Sequence, residues 1–108
     1  MLPPVIINEN GDVSVYKTAD AAAQNLEPID VENNEYTAFD SEGYPLQLTP
    51  GQHTVSIPGR TGAAADPDTL AKILRSFLQR ASGQPVPREL STPSALLALY
   101  IDRYGYAG

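Results

Sequence analysis

No cysteine occurs anywhere in the chain, which excludes disulfides, thiolate nucleophiles and Cys-ligated zinc or iron–sulfur centres together. Histidine is nearly as scarce. The only one, His53, follows a Pro-Gly turn at the start of a strand-like run and has no nucleophile motif beside it. It reads as a polar strand-start residue rather than a general base, and one imidazole cannot build a histidine-rich metal site. No apolar run approaches the roughly 20 residues needed to span a bilayer. The opening stretch Met1-Leu-Pro-Pro-Val-Ile-Ile7 lacks the basic start and longer apolar core of a signal peptide. These features predict a cytoplasmic protein with no export signal and no membrane anchor. Phosphate-loop, dinucleotide-binding and His-Glu-x-x-His sequences are all missing, so no cofactor is expected.

Basic residues are scarce in one half only. Up to residue 54, Lys17 stands alone against nine acids: Glu9, Asp12, Asp20, Glu27, Asp30, Glu32, Glu35, Asp40 and Glu42. From residue 55 onward six basic residues outnumber four acids. The acidic half repels nucleic acid and anionic membranes and speeds encounter with a basic protein. Such charge also serves solubility alone.

At 108 residues, 42% of them hydrophobic and 19% charged, the chain has the size and composition of one globular domain with one core. Ten prolines and eight glycines predict short elements joined by tight turns. Val5–Asn8 and 12–18 read as strands across Asn10-Gly11, a dipeptide that supplies the positive φ angles of a tight hairpin. Thr18 caps an alanine-rich helix over about 19–26, which Pro28 stops. Two alternating runs, 35–40 and 44–48, meet through Ser41-Glu42-Gly43; with Gly43 left-handed, Ala38 lies opposite Leu46 and Tyr36 opposite Leu48. A further strand over His53–Ile57 completes a three-stranded antiparallel meander, and 58–65 form its exit loop.

Beyond residue 65 the period changes to that of a helix. Asp66-Pro67 is a cap followed by a first-turn proline; Leu70, Ile73, Leu74, Phe77, Leu78 and Ala81 recur at helical spacing, and Gly83 ends the run. Lys72, Arg75, Gln79 and Arg80 form its polar outer face. After a Pro-rich connector, Ser91-Thr92-Pro93 opens a second helix that Gly105 closes. Its apolar residues, from Leu96 to Tyr104, cover more than one stripe, so it is deeply buried or shared with a partner. The expected fold is α+β: a mostly antiparallel sheet over residues 1–58 with a short early helix, covered on one face by two C-terminal helices over 66–104.

Three patterns resemble chemistry and are better read as structure. Gly59-Arg-Thr-Gly62 could cradle a phosphate, but Asp66 and Asp68 at the following helix start oppose an anion. Asp40-Ser-Glu-Gly43 has the start of a calcium loop without its remaining ligands. Carboxylates between Asp30 and Glu42 could furnish a glycosidase-like pair, although their spacing selects none.

The stretch Gly11-Asp-Val-Ser-Val-Tyr-Lys-Thr18, with Leu26-Glu-Pro-Ile-Asp-Val31 and Glu35-Tyr-Thr-Ala-Phe-Asp-Ser-Glu-Gly43, resembles a pattern in short uncharacterised bacterial proteins, some of which resemble immunity proteins of toxin systems. The resemblance covers about residues 11–48. It implies a non-catalytic cytoplasmic protein that neutralises a toxin by binding, its acidic surface mimicking the substrate of a basic enzyme. It carries no motif from which site residues transfer.

From the residues themselves, the expected binding face comprises Asp30, Glu32, Glu35, Asp40 and Glu42 for encounter with a basic protein, and Tyr36 and Tyr44 as anchors. Two alternatives remain: a carboxylate-dependent hydrolase, whose mark would be two acids facing each other in a cleft, and a homo-oligomer built through the C-terminal helix.

Overall fold

The Asn10-Gly11 turn folds as its residue types require, with φ of 52° and 97°, and it joins β1 (Val5–Glu9) to β2 (Asp12–Tyr16) in an antiparallel pair. This is seen in a computed structural model describing residues Met1–Gly108. Val5, Ile6 and Ile7 are buried one after another, so β1 has both faces covered, unlike a strand with one wet side. Its other edge takes β3 (Tyr36–Phe39), also antiparallel, giving the order β2-β1-β3.

Two helices separate β2 from β3. Thr18 caps α1 (Ala19–Gln24), its hydroxyl accepting from the Ala21 amide at 3.1 Å. The helix ends two residues short of the expected Leu26. Pro28 does more than stop it: it opens a second short helix, α2 (Pro28–Glu32), at the position where a missing N–H costs nothing.

The expected three-stranded meander does not form. β4 (Leu46–Pro50) and β5 (Val55–Arg60) make a separate two-stranded sheet. A single bridge between Phe39 and Pro45 joins β3 to β4, in the register that sets Ala38 opposite Leu46, and the pairing stops there. Packing accounts for the departure. Leu46 and Val55 bury against Val5, Ile7 and Ala38, a face that a flat continuation of the sheet would leave wet. β5 also runs further than expected, through Arg60 rather than Ile57. Between the pairs Gln47–Gly59 and Thr49–Ser56 the register slips, so Ile57 and Pro58 both oppose Leu48. A bulge tolerates proline because it leaves one residue out of the ladder.

The C-terminal helices follow the sequence closely. Asp66 caps α3 (Pro67–Ser82), accepting from the Thr69 amide at 3.2 Å, and Gly83 closes it at φ 69°. Leu70, Leu74 and Leu78, one helical turn apart, are completely buried. Thr92 caps α4 (Pro93–Tyr104), which buries Leu96, Leu97 and Tyr100. The outer face of α3 is less free than its composition suggests. Arg75 donates to the carbonyls of Val86 and Leu90 and so holds the Pro-rich connector, while Arg80 donates to the Gly11 carbonyl in the first hairpin.

The central sheet therefore divides the interior instead of lying under one cover. Ile6, Val13, Val15 and Phe39 face α3 and α4. Val5, Ile7, Tyr16 and Ala38 face α1 and the β4–β5 pair. The fold is α+β, with helices on one side of the sheet and a mixed helix and hairpin layer on the other.

Candidate functional site

The residues expected to form one binding face separate into two groups at opposite ends of β3, with Glu32 exposed by itself on α2. The first group is acidic. The Tyr36 hydroxyl donates to the Asp30 carboxylate at 3.2 Å and accepts from the Glu27 amide at 3.4 Å, while the Glu35 amide donates to the Asp30 carbonyl at 2.9 Å. These bonds hold α2 against the start of β3. They also bring the carboxyls of Asp30 and Glu35 together, and Glu9, opposite Tyr36 on β1, adds a third negative charge.

Electrostatics follow from that placement. A hydrogen bond with the Asp30 side chain, then the charge of Asp30, some desolvation and the charge of Glu9 raise the Glu35 carboxyl above its ordinary value. The Tyr36 phenol is raised chiefly by desolvation, with Glu9 and Asp30 adding to it and the Glu27 amide opposing. No lysine or arginine forms an ion pair with any of these acids; both ion pairs of the chain belong to Arg60.

The second group is organised inward. Asp40 is completely buried, and its carboxylate accepts from the amides of Glu42 and Tyr44 at 3.0 Å each and from Leu2 at 3.3 Å. Arg60 Nε stands 3.7 Å from the same carboxylate, its other end 3.6 Å from Glu42, and its guanidinium lies 3.6 Å over the Tyr44 ring. Asp40 thus builds the turn between β3 and β4 and faces away from any partner. Arg60, read as part of an exit loop, supplies the cation that this turn needs. The turn chemistry expected of Asp40-Ser-Glu-Gly43 is present, and Gly43 has the left-handed φ of 89°.

Between the two groups, β3 and β4 diverge from their single bridge and leave a cleft of about 500 Å³. Tyr36, Ala38, Leu46 and Leu48 line its strands, with Val31 of α2 at one end and Thr61 and Asp66 also in the lining. Nothing in the spacing of the sequence marked this cleft, because it arises from two strands that part. Its lining contains one carboxylate, Asp66, which is engaged with Thr69 at the start of α3 and is lowered below its ordinary value by that side chain and amide. Two acids facing each other across a cleft, the mark of the hydrolase alternative, are not found there. His53 is exposed in the β4–β5 turn, and no cluster of three or more His, Asp or Glu side chains is arranged to hold a metal.

Comparison with protein-family models, curated proteins and solved structures returned no match for this chain. No helix is long and apolar enough to cross a membrane. The α4 surface that a homo-oligomer would use carries Tyr104, 46% exposed, and borders a groove of about 400 Å³ between Leu2 and Ile101.

Proposed function

We propose that this chain is a non-catalytic, cytoplasmic protein-binding domain whose acidic face, on α2 and at the start of β3, engages a basic partner. Inhibition of that partner, as in immunity proteins of toxin systems, is the form of the reading that the acidic surface suits best. The observation that supports it is the set of Glu9, Asp30 and Glu35 around Tyr36, held side by side with no cation of the chain paired to them. Clustered like charge opposes folding, and an incoming lysine or arginine relieves it. Tyr36 contributes an apolar ring with a polar tip at the centre of the patch.

The test compares capture from a cell lysate by the purified chain and by its Glu32→Lys, Glu35→Lys double variant, with circular dichroism to confirm that both are folded. A basic protein retained by the native chain, released by salt and lost with the variant is the expected result. Identical capture by the two proteins at low salt would sink the acidic-face reading.

A further inference from the structure

Two cations of α3 face a groove rather than an acid. Lys72 and Arg80 are exposed, lie about 12 Å apart along the helix with Ser76 midway, and line a groove of about 190 Å³ between α3 and the β1–β2 hairpin. Asn8 and Gly11 line it from the hairpin side, and Ile73 is its one apolar residue. No carboxylate lines it. Asp12 borders Arg80 in a neighbouring hollow and Asp68 borders Lys72 in another, but neither reaches ion-pair distance; both ion pairs of the chain belong to Arg60.

The donors around the groove are held in place. The Asn8 carboxamide accepts from the Gly11 amide at 2.9 Å and donates to the Thr37 hydroxyl at 3.2 Å, which leaves its second N–H free. Arg80 gives one guanidinium nitrogen to the Gly11 carbonyl. A Cβ at Gly11 would stand 3.1 Å from that same nitrogen, so the missing side chain is what admits the guanidinium. The other N–H groups of Arg80, the Lys72 ammonium and the Ser76 hydroxyl have no partner in the chain.

We propose that this groove binds a phosphoryl group, as inorganic phosphate or as the end of a small phosphate monoester, between the Lys72 ammonium and the Arg80 guanidinium, with the Ser76 hydroxyl and the Asn8 amide as neutral donors. A guanidinium fixed at one nitrogen loses little further freedom when its remaining N–H groups meet phosphate oxygens, and lysine adds a point charge. The volume falls below the roughly 300 Å³ at which sites begin to enclose a whole ligand, so the groove grips the phosphoryl group alone. The net charge of −6 opposes anions over the surface as a whole. Screening beyond about 8–10 Å leaves the two nearest cations to decide the matter locally. Glu9, next to Asn8 along β1, points to the opposite face of the sheet, so this site is separate from the acidic face and does not depend on the basic-partner reading.

The experiment is an amide-resolved NMR titration of the full chain with sodium phosphate and, separately, with glycerol phosphate, at about pH 8, where the phosphoryl group is a dianion, and at constant ionic strength. Lys72→Gln removes one cation of the groove without breaking a hydrogen bond of the fold, and Lys17→Gln removes the same charge beside Tyr106 instead. The expected result is saturable shifts at Asn8, Gly11, Ser76 and Arg80, weakened at least about fivefold by Lys72→Gln and by less than about twofold by Lys17→Gln. Tighter binding of the ester assigns the groove to phosphate monoesters, and tighter binding of the free ion assigns it to inorganic phosphate. Shifts that do not saturate at millimolar concentration, or equal weakening by the two lysine variants, would mean general screening of a cationic surface and overturn the site.

Discussion

The Tyr100 hydroxyl donates to the Val13 carbonyl at 2.8 Å, joining α4 to β2 across the interior. The ring is only 6% exposed and packs with Phe77 at a centroid distance of 5.5 Å. Tyr100→Phe keeps that packing and leaves the Val13 carbonyl without this partner, so it should cost about 1–3 kcal/mol in urea unfolding. Burial first, and the charge of Asp12 next, raise the Tyr100 phenol above 10.0. Above the ordinary value the unfolded chain gives up this proton while the folded chain still holds it, so stability declines as pH rises through that interval. The variant should lose that part of the alkaline decline. Parallel alkaline profiles for the two proteins would contradict the assignment.

Asp40 is the side chain on which the β3–β4 turn depends. Asp40→Ala removes the acceptor of three amides and should cost on the order of 3–5 kcal/mol. Arg60→Ala should cost much less, about 1 kcal/mol, because Arg60 is 40% exposed and its ion-pair distances are long. Thermal or urea denaturation of both variants checks the ranking, and a reversed order would contradict it.

Glu35 carries the pH dependence of the acidic group. Because its folded carboxyl holds a proton more tightly than the ordinary 4.5, ionisation is disfavoured in the folded chain, and its contribution to stability falls as pH rises through that interval. Glu35→Gln should therefore raise the unfolding midpoint at neutral pH, with the difference disappearing below the ordinary value, where both chains are uncharged at this position. A midpoint lowered at neutral pH would mean that Glu35 is stabilised by a cation. The same series run at high salt should show a smaller difference, since Glu35 is only partly buried and its carboxyl is within reach of screening ions.

Local signals carried much of this fold. Asp66-Pro67 and Gly83 bracket α3, and Leu70, Leu74 and Leu78 repeat at a period only a helix satisfies. Asn10-Gly11 specified the first hairpin, and the alternation around Ser41-Glu42-Gly43 specified the register at Phe39 and Pro45. What local signals could not carry was the choice of neighbour. β3 pairs with β1, far earlier in the chain, because the whole interior is better covered when β4 turns away. The same limit applied to the candidate site. Composition identified the acids from Asp30 to Glu42, but burial of Asp40 and the arrival of Glu9 beside Glu35 depend on pairings distant in sequence. Arg60 was hidden by Pro58 and Gly59, which read as loop and are carried within a strand by a bulge.

The partition of the interior by β1 has a consequence for the order of synthesis. Its five residues are synthesised before α3 and α4, whose side chains cover Ile6. Until those helices emerge, Val5, Ile6 and Ile7 form an apolar strand with a wet side, the kind of segment that invites premature association. A nascent chain of this protein is thus exposed to chaperone capture until α3 and α4 have emerged to cover β1.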